Sequence, residues 1–195
     1  MVLCRFAAAM ASRRTYSARR ALLAARSTGV TRRAAEECAL MLVLYAGFPA
    51  ALEALRTLNT TWPGTPRATR EGERRTWRTR GERLCRRVYG PAFTKLIPAV
   101  TALHPDLATW MLEEGYGRVL SRPGLSGRAR ERITVAVLAA LGWRRQLASH
   151  LRGARRLGVP IEQVRTAFAA GLALAAASAR RDANAAWQEV FPTRR

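Results

Sequence analysis

One run of the chain, Ser121 to Val159 (SRPGLSGRARERITVAVLAALGWRRQLASHLRGARRLGV), limits the possible folds more than any other. Pro123 and Gly124 form a turn, and Ser126 or Gly127 begins a helix. Ile133, Ala136, Val137, Ala140 and Leu141 recur at i, i+3, i+4, i+7 and i+8, the spacing of a buried helical stripe. Gly142 ends that helix. On the next one Leu147, Leu151 and Ala154 share a face, and Gly158 stands where helices stop. Two helices joined this closely can fold back on each other as an antiparallel hairpin.

His150 falls on the inward stripe of the second helix, and Glu131 near the start of the first, 19 positions upstream. A buried imidazole beside a carboxylate is suited to proton transfer. The same residues also fit a core histidine bonded to a backbone carbonyl, plus a glutamate that favours the positive end of a helix dipole. Spacing alone leaves both readings open.

The words GYGRVLSRPGL (Gly115 to Leu125), RERITVAVLAALG (Arg130 to Gly142) and QLASHLRGARRLGV (Gln146 to Val159) resemble the carboxymuconolactone decarboxylase family, which is similar in fold to alkylhydroperoxidase D. The resemblance implies an all-α helical bundle whose hairpin holds the active site, with no cofactor and no metal. It also implies assembly of the homo-oligomer type, as trimers or hexamers. The peroxidase branch has a Glu, a C-x-x-C pair and a His. Carried over, these fall on Glu131, on Trp143 and Gln146, and on His150, so the thiol pair is missing and a dithiol cycle at this place is excluded. The decarboxylase branch needs no thiol. It implies His150 and Glu131 as catalytic acid and orienting partner. Arg122 or Arg132 is the candidate clamp for a substrate carboxylate, and Tyr116 a candidate donor to a bound carboxylate or carbonyl.

At 195 residues the chain is long enough to bury a sizeable core without disulfides. Cys4, Cys38 and Cys85 are odd in number, far apart and in no metal-ligand spacing, which points to a reduced, cytoplasmic setting. The longest uncharged stretches, Cys38 to Leu52 and Thr166 to Ala179, are shorter than the roughly 18 residues a membrane span requires. A net charge of +21 would normally suggest nucleic acid. Lys95 is the only lysine, however, and the arginines are spread through every helix, so the charge reads as compositional bias. It favours small anionic ligands and argues against a nucleic-acid partner.

Residues Met1 to Ser27 contain no acidic side chain, a composition shared with mitochondrial transit peptides. A truncated copy of the hairpin is the favoured reading. Shifted by 129 positions, Leu22 falls on Leu151, Ala25 on Ala154, Arg26 on Arg155, and Gly29-Val30 on Gly158-Val159. His150 then falls on Ala21 and Glu131 on Val2. The first copy keeps a downstream phrase, Gly29 to Leu52, in which Tyr45-Ala46-Gly47-Phe48-Pro49 resembles the family's Tyr-x-Gly-x-Pro junction. Glu37 takes the place of the family's helix glutamate, with a surface glutamate as the alternative.

The expected organisation is therefore a pair of tandem degenerate repeats: 1–57 as a truncated first repeat, 58–83 as an Arg-rich linker broken by Pro63, Gly64, Pro66 and Gly72, and 84–195 as a more complete second domain. Trp62 and Trp77 in the linker are expected to dock it onto the protein rather than to stack on bases. His104, before Pro105, is expected to be exposed. The small-residue helix AFAAGLALAAASA, whose small faces allow close approach, is expected to sit at a subunit or repeat interface. Three functions are compatible with these residues: a cofactor-independent lyase on a small carboxylated (lactone-type) substrate, a peroxidase-like antioxidant protein, and a non-catalytic helical scaffold.

Overall fold

A computed structural model describes residues 1–66, 68–69 and 74–192. Every regular element among them is helical, so the chain is all-α. Helix α1 (Val2–Ala11) is the most deeply enclosed for its length, with Phe6, Ala7, Ala8 and Ala9 inaccessible to solvent. It packs on α2 (Thr15–Ser27), on α3 (Arg32–Thr61) and on α7 (Gly127–Leu141). The acid-free N-terminal segment is thus part of the core. Helix α2 buries Ala18, Leu22 and Ala25 on one side and leads into Gly29 in the left-handed region.

Helix α3 is capped by Thr31, whose hydroxyl accepts from the Ala34 amide at 3.2 Å. By length and composition it could cross a membrane. It is nevertheless two helices in series, because Gly47 takes φ 79, ψ 174, an extended conformation open to glycine, with Pro49 just beyond. Its first half buries two carboxylates, Glu36 and Glu37.

The expected linker is shorter in the structure. α3 runs to Thr61, and α4 (Arg74–Tyr89) begins nine positions before the linker was expected to end. Gly72, read as a breaker, lies outside the described residues, as do 67, 70, 71 and 73. Trp62 packs on the core and its carbonyl accepts from Arg32 Nη1, while the Trp77 ring lies 5.3 Å from the Arg118 guanidinium carbon. Residues 74–83 of helix α4 escape sequence reading because Gly81 faces inward there amid arginines, and Cys85 and Val88 continue that inward stripe. That stripe lets it press against a π-helical segment, Met111–Leu120. A Cβ at Gly81 would stand 1.8 Å from the Leu112 carbonyl oxygen, and one at Gly117 would stand 2.2 Å from that of Trp77. Two backbones touch here, and only glycine permits it.

Between them come α5 (Phe93–Leu103) and α6 (Pro105–Trp110). His104 is exposed and caps α6, its ring nitrogen accepting from the Asp106 amide. Helix α7 is apolar almost all round, as a helix at the centre of a bundle should be, with Ile133 and Val135 to Ala140 all buried. Around it stand α8 (Arg144–Arg156), α9 (Ile161–Leu172) and α10 (Ala177–Val190). The small-residue face of α9 is spent against α7, where a Cβ at Gly171 would lie 2.0 Å from the Ala136 carbonyl oxygen.

The helix ends are spaced as two copies of one unit would be. Residues 15 and 27 bound α2, and 144 and 156 bound α8; residues 32 and 61 bound α3, and 161 and 190 bound the α9–α10 pair. Each pair of limits is 129 positions apart. The break at Gly47 corresponds to Ala176, the residue that precedes α10.

Candidate active site

The site begins with the hairpin of α7 and α8. Ser126 caps α7 by accepting from the Ala129 amide, and Gly142, at φ +74, reverses the chain after it. Leu147, Leu151 and Ala154 bury the inner face of α8 and bring His150 back over the first turns of α7. Imidazole Nδ1 of His150 lies 2.9 Å from Oε2 of Glu131, and both side chains are buried. A carboxylate accepts there, so Nδ1 donates to Glu131, and Nε2 is the ring nitrogen that Glu131 does not engage. Gly153 makes room for the pair, since a Cβ at that position would stand 3.0 Å from Glu131 Oε2 and 2.7 Å from Val88 Cγ1.

His150 opens on a hollow of about 340 Å³ whose other walls are Leu44, Tyr45, Leu138, Trp143 and Gln146. Trp143 and Gln146, where the resemblance would put cysteines, thus do line the site. Leu44 and Tyr45 come from α3, just ahead of its break. Tyr45 is fastened by a 2.7 Å hydrogen bond between its hydroxyl and that of Thr134 on α7. Burial pushes its phenol far above the ordinary range and outweighs the Thr134 bond, so the hydroxyl keeps its proton. On the far side of His150, Tyr89 meets the imidazole edge-on with ring centroids 6.2 Å apart. Tyr89 in turn meets Tyr116 edge-on at 6.2 Å. Burial lifts the Tyr89 phenol to about 12 and that of Tyr116 well above its usual value. Tyr116 therefore stands one ring removed from His150 and does not line the hollow.

The remaining candidates sit elsewhere. Glu37, fully buried, is held by Arg33 Nη2 at 2.9 Å, Arg122 Nε at 3.0 Å and Arg130 Nη2 at 3.1 Å. Arg130 also donates to the Arg122 carbonyl at 2.8 Å, tying the 121–126 turn to α3. Burial lowers the Arg130 pKa, and Glu37 opposes the shift. Arg122 borders a different hollow, of about 250 Å³, together with Arg80, Arg83 and Arg87. Arg132 reaches outward to Gln163 Oε1 at 2.9 Å. So the structure brings Glu131 and His150 together, with Tyr116 behind them, and assembles Glu37 and Arg122 into a separate charge cluster.

The three cysteines are free and buried. Burial raises every thiol, Cys85 to about 12, which keeps them protonated and poor nucleophiles. Among the described residues, no three His, Cys, Asp or Glu side chains converge as a metal-ligand set. Sequence reading missed Tyr45 as a site residue, although the Tyr-x-Gly-x-Pro phrase contains it, and missed Thr134, Tyr89 and Leu138, for which no local signal exists.

A buried imidazole–carboxylate pair thus stands on a helical hairpin of an all-α protein, at the wall of a small and largely apolar hollow. Residues 105–189 match the carboxymuconolactone decarboxylase family. Over 60 residues the chain is 37% identical to the 4-carboxymuconolactone decarboxylase of Acinetobacter baylyi (strain ATCC 33305 / BD413 / ADP1), a stretch covering 31% of this chain and 45% of that protein. The chain thus spans less than half the length of this relative. The matched segment, residues 105–189, contains Glu131, Trp143, Gln146 and His150. Tyr45 lies outside that segment.

Proposed function

We propose that the hollow beside His150 is the reaction site of a cofactor-independent carboxy-lyase acting on a small carboxylated lactone. The observation that supports this reading most is the buried 2.9 Å contact between His150 and Glu131 at the wall of a cavity of ligand size. In such a reaction the bond between ring carbon and carboxylate breaks and carbon dioxide departs. The electron pair passes into the conjugated lactone carbonyl. A proton delivered from Nε2 of His150 to carbon then completes the product, and solvent restores the proton to the ring. Glu131 accepts from Nδ1–H, which orients the ring and stabilises the imidazolium form whose Nε2–H is the proton delivered.

Among the described residues, no arginine lines this hollow. Its lining residues with polar groups are Tyr45, Trp143, Gln146 and His150. A carboxylate placed against Leu44 and Leu138 is poorly solvated, which favours its loss as neutral carbon dioxide. A peroxidase reading has less support, because Trp143 and Gln146 stand at the thiol positions and the existing thiols are buried. We take the 129-residue spacing as two unequal repeats joined through 58–83, with the first supplying Tyr45 to the site of the second. Assembly as a trimer or hexamer and a cytoplasmic setting belong to the same proposal. The experiment is to supply 4-carboxymuconolactone and follow carbon dioxide release. Turnover that survives alkylation of unfolded-and-refolded thiols supports the lyase, and turnover of peroxide but not lactone refutes it.

A further inference from the structure

A second hollow, of about 500 Å³, is bounded by α1, α2 and the end of α9. It is the counterpart of the His150 hollow. Shifted by 129 positions, His150 becomes Ala21, Gln146 becomes Ser17, Leu44 becomes Ala173 and Tyr45 becomes Leu174, and all four border this second space. Val2, the counterpart of Glu131, borders it as well. The cavity has persisted while every group able to move a proton has been replaced by an apolar or small side chain. Two cations have appeared instead: Arg5 stands where the other copy has Thr134, and Arg20 where it has Ser149.

No hydrogen bond or ion pair engages either guanidinium among the described residues, and no carboxylate is among the residues bounding the hollow. Arg122, at the hollow between α4 and the 121–126 turn, is by contrast bound to Glu37. A cavity of this size with alanine and leucine walls accepts a compact apolar body. A planar guanidinium recognises a carboxylate through paired hydrogen bonds. We propose that this hollow is a second, non-catalytic ligand site for a small amphipathic carboxylate, its apolar part against Ala21, Ala170 and Leu174 and its charge between Arg5 and Arg20. The inference rests on the paired cavities and their arginines, and does not depend on any reaction at His150.

Titration of the full chain with 1-naphthoate, followed by calorimetry, tests it. Saturable binding is expected, weakened about tenfold or more in the Arg5→Gln/Arg20→Gln variant and unaltered in His150→Gln. Because Arg5 and Arg20 are exposed, the double variant should keep the native circular dichroism. As a second measurement on the unmodified protein, 1-naphthamide, which has no charge, should bind about tenfold more weakly than the acid. Equal affinity for acid and amide would overturn the proposal. So would binding unaffected by the arginine replacements but lost with His150→Gln, or the absence of saturable binding.

Discussion

The hydroxyl of Tyr45 lies 2.7 Å from that of Thr134, a bond between residues 89 positions apart in the chain. It joins the helix that ends at the Gly47 break to the central helix of the bundle. By doing so it fixes one wall of the hollow onto which His150 opens. The hollow is therefore composite: His150 comes from the α7–α8 hairpin, and Leu44 and Tyr45 from α3.

Replacing Tyr45 by Phe keeps the ring and removes this bond. Stability should fall by only about 1 kcal/mol, the usual worth of a neutral hydrogen bond. Lactone turnover should fall further than that loss of stability explains, because Phe cannot donate to the substrate. Thermal melts set beside steady-state rates check the split.

Glu37 is expected to matter for folding rather than for chemistry. It bonds three arginines from a fully buried position, and Arg130 is itself almost inaccessible. Glu37→Ala takes the carboxylate away from buried Arg130 and should cost about 3–5 kcal/mol. Chemical denaturation measures it, and Glu37→Gln should fall between the two.

Thiol reagents should find nothing to label in the folded protein. All three cysteines are buried, and the Cys85 pKa of about 12 leaves almost no thiolate at neutral pH. A disulfide-exchange dye is expected to titrate no thiol natively and three after denaturation, the full number in the sequence.

Alkali should destabilise the fold. Cys85, Tyr45, Tyr89 and Tyr116 all have folded pKa values raised above their unfolded ones. Between those limits the folded chain binds more protons than the unfolded chain, so stability falls as pH rises. The loss should begin above about pH 8.5, where unfolded thiols ionise, and grow as phenols follow near pH 10. Denaturation midpoints measured at increasing pH follow it.

The parts of this molecule legible from sequence are those with local signals. The α7–α8 hairpin is marked by apolar periodicity and by Gly142 and Gly158, so His150 and Glu131 could be placed as neighbours from spacing and resemblance. Residues 74–83 of helix α4 were hidden because Gly81 packs where a leucine usually would, among arginines that read as solvated linker, whereas from Leu84 on apolar residues such as Val88 mark a helix. Nothing in the helical pattern before the hairpin distinguishes the π-helical turn from an α-helix. Arg122 and Arg132 were candidates because they are near His150 along the chain. Their partners, Glu37 and Gln163, are chosen by packing between distant helices, which no local pattern encodes. A 129-residue shift that aligns Leu22, Ala25, Arg26 and Gly29-Val30 with Leu151, Ala154, Arg155 and Gly158-Val159 in the sequence is also the spacing of the helix limits.

The role of Glu131 is separable from that of His150. In Glu131→Gln a neutral amide replaces the carboxylate and no longer stabilises the imidazolium whose Nε2–H supplies the proton. Turnover should drop by about 10²-fold with the melting temperature little changed.

The most direct test of the central claim is carbon dioxide release from the carboxylated lactone by the His150→Gln protein, measured alongside its circular dichroism. The account predicts a loss of about 10²–10⁴-fold, the range for removing a general acid, with the helical spectrum intact. Release at the unaltered rate from a folded His150→Gln protein would contradict it.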